Sequence, residues 1–277
     1  MSDPRFTLAR DGLAAGSLQG LMRADRFAET TRRVCVAPSA DLRAGPGPAA
    51  EMDDQLLFGE AFDLLAEANG YALGQARRDG YVGYVPAAAL GPPDPEPPTH
   101  RIAALRAYAY REPDFKSAAA GPLPFNAPAR VDRESGRYRH VAGAGWVAAG
   151  QLTPIGTFES DPAAIAERFV GAPYLWGARD GLGMDCSGLI QQALTACGLA
   201  CPRDTDLQAG LGSPIEAAAL RRGDLVCWSG HAGMMLDAGR LIHANTHHMA
   251  VAVEPLERAV GRIRERTGGG PTSYRRV

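Results

Sequence analysis

Five prolines fall within eight residues at 91–98, GPPDPEPP. Proline donates no backbone hydrogen bond and its ring blocks the preceding helical turn, so this stretch is neither a helix nor a central strand. It reads as a stiff extended connection. Whatever precedes it and whatever follows it must each find its own backbone pairing. With 33 Gly and 21 Pro among 277 residues, the rest of the chain is also expected to turn often and to hold few long helices.

The segments on either side of the prolines look alike. From Thr30 to Leu90, VCVAP, QLLFGEAFDLLAEANG, YALGQARRDG and YVGYVP read as short strands closed by turns, with a hairpin turn at Arg78-Asp79-Gly80. Residues 100–153 repeat the style in RIAALRAYAY, PFNAPARVDRESGRYRHV and GWVAAGQLTP. The endings GYVGYVPAAAL and GAGWVAAGQL share glycine, an aromatic residue, valine, small residues and leucine, a weak internal repeat. Each segment is expected to form a small β-barrel resembling bacterial SH3 domains. The expected organisation is an N-terminal arm over 1–30 with a short helix around Ala14 to Phe27, barrels over 31–92 and 93–153, and a third domain over 154–277.

Charge excludes several partners. Lys and Arg number 29 against 31 Asp and Glu, a net charge of −2, which gives neither nucleic acid nor an anionic membrane a strong electrostatic partner. No apolar run is long enough to span a bilayer. Five cysteines are an odd number, unlike a secreted disulfide framework, and MSDPRFTLARDG holds Asp3, Pro4 and Asp11 where a signal peptide has an apolar core. A cytoplasmic location is expected, with no protein partner inferable.

The third domain changes character. Asp161-Pro162 before AAIAERFVG reads as a capped helix, LIQQAL after Cys186 as a second, and DLVCWSG, HAGMMLD and RLIHAN as three antiparallel strands, an α+β layout. Asp185-Cys186-Ser187-Gly188 puts Cys186 at a helix start, where unpaired N–H groups and the helix dipole favour thiolate. A nucleophile of this kind needs a base and a group that orients the base. His231 and His243 stand twelve residues apart on neighbouring strand candidates. Alternation favours His243 over His247 as the orienting residue.

The runs DCSGLI, GHAGMML, LIHAN and YLWGARDGLGMDCSG resemble the NlpC/P60 family of papain-like cysteine peptidases. With tandem SH3-like domains ahead, the chain is similar to the subgroup that cleaves the γ-D-glutamyl bond to a diamino acid in murein tri- and tetrapeptides with a free N-terminal L-Ala. The resemblance implies roles by position: Cys186 as nucleophile, His231 as general base and acid, His243 as third residue, Tyr174 as an oxyanion donor. It further implies that Asp185 and Ser187 bind the substrate ammonium, that Trp176 lines that pocket, and that Tyr81 and Glu60 of the first barrel cap it. It departs from the pattern at Ala178, where the family carries glycine.

Blander readings stand beside these. Asp185 also serves as a helix N-cap, Tyr81 as a barrel aromatic, and Cys35, Cys197, Cys201 and Cys227 as packing residues. Cys197 and Cys201 with His247 and His248 match no common zinc spacing, so no metal and no cofactor are expected. The competing functions are an endopeptidase or amidase on intact wall, a catalytically idle wall-binding protein and an acyltransferase on the same scaffold.

Overall fold

A computed structural model describes residues 3–277. The chain divides into two compact units, with the boundary in sequence between Ile155 and Gly156.

The first unit is almost entirely strands. Residues 9–28 form a small three-stranded sheet, Ala9–Arg10, Leu13–Ala15 and Arg26–Ala28, the last two parallel. The helix expected around Ala14 to Phe27 is absent; only a 3-10 turn at Gly16–Leu18 takes its place. Gly16 and Gly20 each cost an α-helix about 1 kcal/mol against alanine, and nothing in so short a segment offsets that. The arm is anchored by Leu8 and Ala15, which pack with Leu65, Leu73 and Val82.

The segment after the arm forms a seven-stranded sheet, and the hairpin expected at Arg78–Gly80 joins its antiparallel strands Tyr71–Ala76 and Val82–Pro86. The segment after the prolines forms a three-stranded and a five-stranded sheet. The two similar endings fold alike. Val82–Pro86 runs through a 3-10 turn at Ala87–Ala89 into Leu90–Gly91, and Gly145–Ala148 runs through Ala149–Gln151 into Leu152–Pro154. Each final strand pairs with the first strand of its own segment, Leu90 with Cys35 and Leu152 with Ile102. The proline stretch is exposed and irregular, fastened where Asp94 meets Arg130 at 2.6 Å. The segments are not separate bodies, because Leu57 and Phe58 of the first lie in the core of the second with Ile102, Leu123 and Val147.

The second unit is α+β. Helix α1 (Pro162–Glu167) is capped by Asp161, whose side chain accepts from the N–H groups of Ala163 and Ala164. Helix α2 (Cys186–Ala196) packs on the central strands. The strands Leu225–Trp228, His231–Met235 and Arg240–Asn245 follow as expected, in consecutive antiparallel pairing. The sheet extends further than the sequence reading went. Ala250–Pro255 pairs beyond Arg240–Asn245, and Ser273–Arg276 beyond Leu225–Trp228. After the short helix α3 (Thr205–Gln208), a fourth helix, α4 (Leu256–Thr267), lays Ala259 against Val226, Trp228, Met235 and Leu241. Among the described residues no helix is long and apolar enough to cross a membrane.

Candidate active site

Cys186 is the first residue of α2, so its N–H has no partner within the helix. The approach to it is zipped along the outer sheet strand. Tyr174 N–H donates to Met249 O, Val251 N–H to Ala172 O, and Met184 N–H to Pro173 O. This turns 171–185 back so that Tyr174 lies beside Met184, two residues from the cysteine. Gly188 is required by a close approach: a Cβ there would stand 2.5 Å from the carbonyl oxygen of Ala178. Ala178, the departure from the expected glycine, is itself fully buried.

Asp185 holds the start of α2. Its Oδ1 accepts from Gly188 N–H at 2.6 Å and from Ser187 Oγ at 3.2 Å, and its Oδ2 accepts from Gly177 N–H at 2.9 Å. Arg203 clamps both oxygens, at 3.0 and 2.5 Å, and also donates to Ser187 Oγ at 2.7 Å. The expected N-cap role is therefore present, and the carboxylate charge is already matched by a guanidinium.

The Cys186 thiol lies against the Ala232 N–H, next to His231. Burial pushes the thiol up to about 12 and the Asp185 charge adds to this, while the Ala232 N–H, Arg203 and the Ser187 N–H pull it down. Burial also drives His231 down to about 3, aided by His243 and Arg262 and opposed by Glu254. Desolvation thus opposes the thiolate that the helix terminus alone would favour.

His231 Nε2 and His243 Nδ1 are 2.8 Å apart. The strands carry the rings diagonally, not directly opposite: the ladder Met234–Ile242 and Met235–Leu241 sets His243 across from Gly233. A Cβ at Gly233 would lie 2.9 Å from Leu241 Cδ1 and 3.1 Å from His243 Cβ, so the bare backbone makes room for the ring. His247 is exposed, with its ring against His248, and takes no part in this contact. Trp228 walls His231, with ring centroids 5.6 Å apart. Burial, then the Cys186 and Asp185 charges, push the Tyr174 hydroxyl well above the ordinary tyrosine range, so it stays a donor. Trp176 is exposed.

Two expected residues belong to the first unit. Glu60 is buried; its Oε2 accepts from Leu57 N–H at 2.9 Å and its Oε1 lies 3.2 Å from Arg78, which also meets Asp54 and Asp79. Tyr81 is a core residue in edge contact with Phe6.

Sequence reasoning missed four residues around the site. Arg203 clamps Asp185, and buried Gln208 donates to the carbonyls of Ser187 and Pro202. Glu254 Oε1 lies 2.8 Å from His243 Nε2, and Arg262 of α4 donates to the same oxygen. The alternation of AVAVEP is the one signal that points to Glu254 as a strand residue on the histidine face. His243, His248 and Glu254 also lie close enough together to ring a cation, but Arg262 already seats a fixed positive charge on Glu254.

Residues 171–262 match the model described as the NlpC/P60 family, and residues 42–90 the model described as the bacterial dipeptidyl-peptidase SH3 domain. A protein of Mycobacterium tuberculosis named a probable endopeptidase is 35% identical over 91 residues, 32% of this chain and 24% of the relative. The chain thus spans about a quarter of that relative's length. The gamma-D-glutamyl-L-lysine dipeptidyl-peptidase of Bacillus subtilis is 28% identical over 216 residues, 69% of this chain and 71% of the relative. The crystal structure of an NlpC/P60 family protein from Bacillus cereus shares the fold, with a TM-score of 0.75 at 18% identity over 89% of this chain and 99% of that one.

Proposed function

We propose that this chain, an NlpC/P60-family protein through residues 171–262, is a cysteine peptidase that cleaves the γ-D-glutamyl bond to a diamino acid in murein tri- and tetrapeptides and releases L-Ala-γ-D-Glu. The observation that carries the reading is the His231–His243 hydrogen bond on the strand whose Ala232 N–H meets the thiol of Cys186 at a helix start. The Bacillus subtilis relative, named for this bond type and aligned over both units, supports the substrate class.

The chemistry follows from the groups present. His231 takes the Sγ proton on Nδ1, the nitrogen not turned toward His243, as sulfur attacks the γ-carbonyl. The Cys186 N–H and the Tyr174 hydroxyl donate to the oxyanion, and donors of this kind are worth about 3 kcal/mol each. His231 returns the proton to the departing amine, leaving a thioester. It then deprotonates water for hydrolysis, which restores the thiol. Prior removal of the proton is not needed, so a resting thiol near 12 is compatible with attack coupled to proton transfer.

A requirement for a free L-Ala amine places the enzyme on released peptides, hence in cell-wall recycling within the cytoplasm. The two segments of the first unit act as tandem SH3-like barrels in this reading. Their like-folded endings support the pairing. Glu60 and Tyr81 are assigned to the amine end by sequence resemblance, as are Ser187 and Trp176.

A second reading, an endopeptidase indifferent to the amine, gains weight from one observation. Asp185 and Glu60, the carboxylates assigned to the ammonium, each already face an arginine. Mass spectrometry of free and N-acetylated murein tri- and tetrapeptides separates the two. Release of L-Ala-D-Glu from the free peptides alone supports the first reading, and equal cleavage of both forms refutes it. Cys186→Ala must abolish either activity.

A further inference from the structure

The relay does not end at His243. It runs diagonally across three neighbouring strands, from His231 to His243 to Glu254. The ladder sets His243 across from Ala252 and Leu241 across from Glu254, so each step crosses one strand and shifts by two residues, within reach of long side chains. His243 is fully buried and the Glu254 side chain is 11% exposed. Arg262 comes in from α4 and pins the carboxylate. His248 is the other titratable group facing His243 and Glu254.

We propose that Glu254 is a positioning residue that fixes the order of protons along His231 and His243, and so decides that His231 presents a base to the Cys186 thiol. A carboxylate only accepts hydrogen bonds, so the contact at His243 Nε2 requires Nε2–H. The other nitrogen, Nδ1, then carries a lone pair and accepts from His231 Nε2–H. Neutral His231 with its proton on Nε2 has its lone pair on Nδ1, free for the thiol proton. With the opposite order, His231 would hold a proton on Nδ1 and could take none.

Glu254 stays ionised to do this. Burial pulls its carboxyl upward, but the hydrogen bond from His243 and the charge of Arg262 hold it below the usual range. Its charge also raises both histidines against their burial, so it favours the imidazolium that forms during attack. Arg262 opposes that effect and serves to hold the carboxylate in place.

The inference rests on the cysteine-peptidase reading, and its test does not need the peptide substrate. The intact protein labelled with 15N-histidine reports tautomers through ring-nitrogen shifts, with His231 and His243 assigned by single His→Gln variants. The expected state is Nε2–H for both rings, and Glu254→Ala is expected to lose that order at His243. Alkylation of Cys186 by iodoacetamide, followed by peptide mapping across pH, reads the thiolate–imidazolium population. Removing the orienting member of a triad costs up to about 10⁴ in rate. Glu254 acts one ring further away, so Glu254→Ala is expected to slow alkylation about 10- to 100-fold.

Glu254→Gln keeps the accepting oxygen toward Arg262 and His243 but loses the charge. It should keep the Nε2–H order, and the alkaline limb of the alkylation profile should move to lower pH. A purely structural role would leave that limb in place once folding is matched by circular dichroism. If Glu254→Ala keeps the wild-type tautomers and Glu254→Gln keeps the wild-type profile, the proposal is overturned. If the tautomers and alkylation behave as expected but no murein peptide is cleaved, the substrate reading fails and the proton order stands.

Discussion

The Asp185–Arg203 pair offers the sharpest quantitative test. The two side chains are 8% and 1% exposed, and the contact is bidentate. Removing one partner of such a pair strands a buried charge and costs about 3–5 kcal/mol, far more than the 0–1 kcal/mol of a surface pair. For a folding unit of roughly 120 residues, each kcal/mol moves the melting temperature by about 3–5 °C, so Arg203→Met is expected to lower it by about 10–20 °C. Asp185→Asn alone leaves the arginine buried and should cost a similar amount. Asparagine still caps the helix, so the double variant Asp185→Asn/Arg203→Met removes both charges while retaining the acceptor for Gly188 N–H. It should recover most of the loss. Urea unfolding of the four proteins gives the coupling energy directly. Single variants within about 1 kcal/mol of wild type and additive in the double would show that the pair is solvent-screened and that α2 does not depend on it.

Other outcomes follow from the same geometry. Gly233→Ala must displace Leu241 or His243, both fully buried, so it should cost about 1–3 kcal/mol in stability. Peptide cleavage should fall further than folding does, compared in paired melting and turnover measurements. The acid side of the stability profile carries a His231 signature. Its folded value lies near 3 and its ordinary value at 6.5, so the unfolded chain binds the extra proton and stability falls as pH drops between those values. His231→Gln should flatten that part of a melting-temperature scan relative to wild type. Cys186 acts at the other end: raised from 9.0 to about 12, it contributes stability that is complete below 9 and lost as pH climbs toward 12. Cys186→Ser should remove that alkaline slope while leaving the acid side unchanged.

Cys186 and both histidines were legible because each announces itself locally. Asp-Cys-Ser-Gly opens a helix, and strand alternation picks His243 over His247. Their partners were illegible because nothing local marks them. Arg203 reaches Asp185 across 18 residues from a loop that reads as ordinary turn chemistry. Arg262 sits in LERAVGRIRERT, which looks like any solvated arginine-rich helix until the sheet packs beneath it. The opposing pull on the Cys186 thiol was illegible for a related reason: the helix terminus is visible in sequence, whereas desolvation is a property of the assembled core. The short strands of the first unit were legible from Gly-closed apolar runs, but the arm was not, because its strand pairs are only two or three residues long.

Leu57 and Phe58 have a consequence for how such a chain can be inherited. Leu57 ends a strand of the first segment and Phe58 follows it, yet both are buried among the apolar residues of the second. Any ancestor that discarded residues beyond the proline stretch would have bared two large apolar side chains, a sticky patch rather than a smaller working protein. Duplication can create such a tandem in one step. Once Leu57 and Phe58 are committed, loss of either half requires compensating substitutions at those positions first. The two segments are therefore expected to travel between genomes as one indivisible piece.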